Sequence, residues 1–99
     1  MPERHRFEIR DGERVAAFTR YTRRRGEIVF SHTETDPEYE GRGVASRLIS
    51  GALDAVREEG LAVLPLCPFV RGYIARHPDA YLHLVPAERR VHFRLPADG

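Results

Sequence analysis

Tyr39-Glu40-Gly41-Arg42-Gly43-Val44-Ala45 separates two stretches of different hydrophobic period, and its reading decides the fold. After it, apolar residues fall at Val44, Ala45, Leu48, Ile49, Ala52, Leu53 and Val56. Spacings of three and four mark one face of an amphipathic helix, with Arg42, Arg47, Arg57 and Glu58 left to water. Gly60 stands where a C-terminal cap glycine belongs. Before it, the period is two. Arg6-Phe7-Glu8-Ile9-Arg10 alternates polar and apolar, and Asp11-Gly12 signals a hairpin turn. Arg14 to Thr22 reads as a second strand with Val15, Ala17 and Tyr21 inward. Arg23-Arg24-Arg25-Gly26 is a charged, solvated turn, and Glu27 to Glu34 is a third strand that completes an antiparallel meander.

Beyond the helix, Leu61-Ala62-Val63-Leu64-Pro65-Leu66 is the apolar run of a buried strand, with Pro65 weakening the pairing near its end. Pro68 suits the first position of a second helix, which Pro78 stops near His77. Val91, Phe93 and Leu95 alternate as a final edge strand. The order predicts an α+β fold: an α/β sandwich whose mixed sheet, antiparallel at its start, is covered by two helices.

A chain of 99 residues forms one small domain, 1–99, whose modest core leaves large ligands to a groove or the surface. Sixteen basic against 15 acidic residues give a net charge of +1, which argues against a dedicated nucleic-acid binder. All the basic residues are arginine. The absence of lysine excludes a Walker-type phosphate loop and Schiff-base chemistry. One cysteine excludes an internal disulfide and a four-thiolate zinc site. His5, His77, His83 and His92 have no metal-ligand spacing, so no metal is expected. No apolar run has the length of a membrane helix. The start Met1-Pro2-Glu3-Arg4-His5 has no leader-type hydrophobic stretch, and a cytoplasmic protein is expected.

The glycine segment has a chemistry of its own. Small residues let the backbone turn tightly into a helix whose first amides lack acceptors. Such an end carries about half a positive charge and suits phosphate, and Arg42 and Arg47 add planar donors. A plain helix entry without a ligand is the alternative. A dinucleotide fingerprint is discounted, because its third glycine falls at Ser46.

Strand Ile28–Glu34, the loop Glu40-Gly41-Arg42-Gly43-Val44-Ala45 and the following helix resemble the acetyl-CoA-binding core of the GNAT N-acetyltransferases. The family's loop is commonly Gln/Arg-x-x-Gly-x-Gly/Ala; Gly43 and Ala45 match it, and Glu40 departs from it. His32-Thr33-Glu34 and Pro65-Leu66-Cys67-Pro68-Phe69-Val70 are similar to a small one-domain subgroup. The resemblance spans about residues 6 to 81 and implies a minimal GNAT-like fold with acetyl-CoA as co-substrate. It implies that the strand with Ser31 and Thr33 meets the pantetheine arm, and that Phe69 lies beside the cofactor. The amides of Gly41, Arg42, Gly43, Val44, Ala45 and Ser46, with Arg47, would take the pyrophosphate.

Four residues are candidates for the chemistry. Cys67, at the start of the second helix, is placed to attack a thioester as a helix-capped thiolate; a buried packing thiol is the alternative. The resemblance makes Tyr73 a proton donor to the departing thiolate, against a packing role. His32 and Glu34 are candidate bases that alternate with Phe30 on one strand face. Direct transfer to an amine acceptor and transfer through a Cys67 thioester both remain open. So does a non-catalytic acyl-CoA-binding or sensor module. Oligomeric state is open, with an exposed sheet edge as one route to a dimer.

Overall fold

In the computed structural model, which describes residues 5–96, the alternating stretch forms β1 (Arg6–Asp11), β2 (Arg14–Arg24) and β3 (Glu27–Thr35). Met1 to Arg4, read above for a leader, lie outside the described residues. Two-residue turns at 12–13 and 25–26 join the three strands into the expected meander. Helix α1 (Val44–Glu59) then carries the chain to β4 (Ala62–Pro65), which pairs parallel to β3. The sheet order is β1-β2-β3-β4, so the sheet is mixed and antiparallel at its start. Gly60 caps α1 as expected, its amide donating to the Arg57 carbonyl.

Each antiparallel ladder contains one residue too many. Pairing passes from Ile9 with Ala17 to Arg10 with Val15, which leaves Ala16 extra. It passes from Arg20 with His32 to Tyr21 with Phe30, which leaves Ser31 extra. A bulge resets the alternation of side chains beyond it. Phe30 packs toward Phe7 and Tyr21, with ring centroids 6.2 and 6.5 Å away. Past Ser31, Thr33 rather than His32 continues that covered face, hydrogen-bonded to buried Thr19. The expectation that Phe30, His32 and Glu34 share a face is therefore corrected: His32 and Glu34 are exposed on the other side.

The apolar face of α1 supplies Leu48, Ile49, Ala52, Leu53 and Val56 to the core. Each large side chain buried there contributes about 1.5–3 kcal/mol. Ile28, Val29 and Phe30 are buried consecutively, as are Val63 and Leu64, so this part of the sheet is covered on both faces. Helix α2 (Pro68–Arg76) has proline at its first turn, as expected.

Three expectations need correction. Pro78 does not merely end α2 but opens a third short helix, α3 (Pro78–Tyr81). It docks on α1 through Tyr81, whose hydroxyl donates to Asp54 at 2.8 Å, and through Arg57, which donates to the Ala80 carbonyl. The final edge strand is absent among the described residues. The amides of Phe93 and Leu95 donate locally to Arg89, Arg90 and again Arg90, leaving them nothing to offer a ladder. Phe93 and Leu95 still enter the core, while Val91 is 79% exposed. The arginine run is not wholly solvated: Arg23 forks onto Glu59 at 2.7 and 3.2 Å and ties β2 to the last turn of α1.

Candidate functional site

The approach to the glycine loop is a short 3-10 turn, Pro37–Tyr39, capped by Asp36, whose carboxylate accepts from the Glu38 amide at 2.9 Å. That bond, with Arg14 beside it, holds the Asp36 carboxyl below the usual range. Gly41 and Gly43 follow with φ of +81° and +74°, where a side chain is disfavoured. Gly43 is the N-cap of α1 and brings no side-chain acceptor to its first turn. Among the described residues, the amides of Val44, Ala45 and Ser46 have no acceptor. The Arg42 amide is already given to the Tyr39 carbonyl and that of Arg47 to Gly43, so the expected set of free amides narrows to these three and the glycines.

These amides line a cavity of about 330 Å³ together with Thr35, Tyr39 and Phe69. Phe69 is 37% exposed, so an apolar ring lies open beside the positive end of a helix. Parallel pairing of β3 with β4 stops at Phe30 and Pro65, although β3 runs on to Thr35. One further bond, from the Cys67 amide to the Phe30 carbonyl at 2.9 Å, closes the junction. Residues 31–35 then have no ladder partner on the β4 side among the described residues. Ser31, the bulge residue, lies on this edge, its hydroxyl turned back to the Arg20 carbonyl.

The catalytic candidates separate into three places. Cys67, 3% exposed, caps α2, and its Sγ lies 3.2 Å from Thr33 Oγ1. Thr33 Oγ1 lies 2.9 Å from Thr19 Oγ1, so a chain of two hydroxyls ends on the thiol. The Thr33 side chain is thereby committed to the core, so at this position the strand offers only backbone to a ligand. On the other sheet face, His32 Nε2 donates to Glu34 Oε2 at 2.8 Å. Tyr73 is buried among His77 and Tyr81, with ring centroids 4.4 and 5.9 Å away. Its hydroxyl has no hydrogen-bond partner among the described residues. Six helical residues from Cys67, it stands about 9 Å away along the axis.

Sequence reading missed two residues. Thr19 is fully buried and orders Thr33; the signal was a polar residue at an inward position of β2. Tyr39 carries no signal in the sequence beyond its place in the loop, yet it lines the cavity. Its hydroxyl donates to Asp11 at 2.6 Å, and that carboxylate raises its pKa. Among the described residues no group of three metal-binding side chains occurs, and no helix is long and apolar enough to cross a membrane.

The family model described as GCN5-related N-acetyl-transferase matches residues 6–84. Protein NATD1 of Gallus gallus is 39% identical over 61 residues, covering 60% of this chain and 56% of that protein. Protein NATD1 of Homo sapiens is 37% identical over 51 residues, covering 52% and 45%. The chain thus spans about half the length of the curated relatives it matches. The ribosomal-protein-S18-alanine N-acetyltransferase from Escherichia coli superposes with a TM-score of 0.56 at 22% identity, covering 59% of this chain and 38% of that one. That likeness is one of fold.

Proposed function

Because the chain belongs to the GCN5-related N-acetyltransferase family, we propose that it moves an acetyl group from acetyl-CoA to an amine. The carrying observation is that the amides of Val44, Ala45 and Ser46, residues that open α1 behind Gly43 and share a cavity with Phe69, have no acceptor among the described residues. In this reading the amides bind the pyrophosphate and Phe69 covers the arm that leads to the thioester. The unpaired edge of β3 offers backbone donors and acceptors to that arm, as a strand edge does to any extended partner. Acetyl-CoA supplies the activated acyl group; the chain supplies orientation and proton transfer.

Direct transfer is the leading route. The acceptor amine must lose a proton before it attacks, and the His32–Glu34 pair is the exposed base nearest the open edge of β3. The Tyr73 hydroxyl is unspent and can protonate the departing thiolate. Burial of Cys67 against Thr33 disfavours the covalent route. In that route the Cys67 thiolate attacks the thioester carbonyl, CoA leaves as thiolate and takes a proton, and the amine then releases the acyl group.

The test is release of free CoA from acetyl-CoA with a panel of small amines and amine-bearing peptides, against an enzyme-free control. Amine-dependent release is expected, and none with any acceptor, in a protein whose melting temperature rises with CoA, leaves a non-catalytic acyl-CoA-binding module. Without lysine, autoacetylation is confined to Cys67 and a terminal amine. Direct transfer predicts that Cys67→Ala retains the rate; a hydroxylamine-labile acetyl mass absent from Cys67→Ala, together with lost turnover, favours the covalent route.

A further inference from the structure

Five arginines near the sheet and helices, Arg6, Arg10, Arg14, Arg23 and Arg57, each meet a carboxylate. Arg42 meets none among the described residues. Its guanidinium instead lies 5.5 Å from the centroid of the Tyr39 ring, within reach of a cation–π contact. Tyr39 is fixed in turn. Its hydroxyl donates to Asp11 at the end of β1, and the Arg14 guanidinium lies 5.6 Å from the same ring. Arg14 is itself anchored on Asp36 and Glu38, whose carboxylates hold it more firmly in its charged form.

The geometry points to Tyr39, which lines the glycine cavity, as a positioning residue that holds the Arg42 guanidinium against its ring, ready for a phosphate ester. This rests on the reading of that cavity as the CoA site. Contact with a ring face restrains a long side chain without spending any of its N–H donors, all five of which remain for an anion. A carboxylate in the place of Tyr39 would restrain Arg42 equally and neutralise it. The ring also ties the loop to the β1–β2 turn, so the cation is referenced to the sheet rather than to the loop alone.

The test is a double-mutant cycle read by calorimetric titration of CoA into the wild type, Tyr39→Leu, Arg42→Gln and the double variant. Each single change is expected to weaken binding about threefold to fivefold, and the double variant to bind no worse than Arg42→Gln. Additive losses, or wild-type affinity in folded Tyr39→Leu, overturn the positioning role. Side-chain 15N relaxation of the ligand-free wild type provides a measurement that needs no variant to fold. The Arg42 Nε–H should be more ordered than that of Arg47, and equal mobility overturns the proposal. CoA that fails to bind the wild type overturns the cavity reading itself, a result separable from additivity in the cycle.

Discussion

Adding one methyl group to Gly43 and the same group to Gly51 should move stability in opposite directions. Neither added Cβ meets an atom within 4 Å, so packing contributes to neither change. The difference is backbone. Gly43 has φ of +74°, where a side chain costs about 1–2 kcal/mol. Restricting the unfolded chain returns about 0.4–1 kcal/mol, which leaves Gly43→Ala about 1 kcal/mol less stable. Gly51 lies inside α1, where alanine is favoured over glycine by about 1 kcal/mol. For a domain of this size 1 kcal/mol corresponds to about 4–8 °C, so the two variants should melt about 8–16 °C apart, on either side of the wild type. Scanning calorimetry without ligand makes the measurement. A Gly43→Ala protein that melts at or above the wild type would refute the left-handed helix entry and the amide geometry built on it.

Three further outcomes follow from packing and charge. Leu53→Ala, at a fully buried position of α1, should cost about 2–5 kcal/mol in urea denaturation; a cost below that range would mean the α1 face is not the core. Thr33→Val, which orphans both Thr19 and Cys67, should cost about 1–3 kcal/mol and more than Thr19→Val, which leaves Thr33 its thiol partner; the reverse order would show that the hydroxyl chain is not formed. Hydrogen bonds from Arg23 and Arg10 hold the Glu59 and Glu8 carboxyls below their usual value. The unfolded chain therefore binds more protons, so this stability is full above about pH 5 and is lost as pH falls through the lowered values. Melting temperature followed from pH 7 to pH 3 should fall more gently in Glu59→Gln, and parallel curves would discount the Arg23 contact.

Period and punctuation made much of this fold readable. Gly43 and Gly60 bracket α1, and Pro68 marks the start of α2, because backbone geometry at those points restricts residue type directly. The bulges at Ala16 and Ser31 were not readable, since an extra residue leaves no mark in composition and shifts every later side chain to the other face. That is why His32 and Glu34 parted from Phe30. The tail misled for the opposite reason. Val91, Phe93 and Leu95 alternate as a strand does, but local turns absorb their amides. Of the site, the loop glycines were legible from their conformation. The Thr19–Thr33–Cys67 chain and the Tyr39–Arg42 contact arise only when segments 14 to 48 residues apart, or a ring and a cation three residues apart, are brought together in space.

The sheet order has a kinetic consequence. Every strand lies beside its neighbour in sequence, and the first three are joined by two-residue turns. Only the fourth requires a long closure, with Ala62 meeting Glu27 across the whole of α1. Loop entropy rises by about 0.6 kcal/mol per doubling of length, so this closure costs more than either hairpin by a margin of several doublings. Hairpins form in about 1–10 μs, and the meander can therefore be in place before β4 docks. The transition state should then be spread over the hairpins and α1. The β3–β4 seam would then be the last strand pairing made in folding.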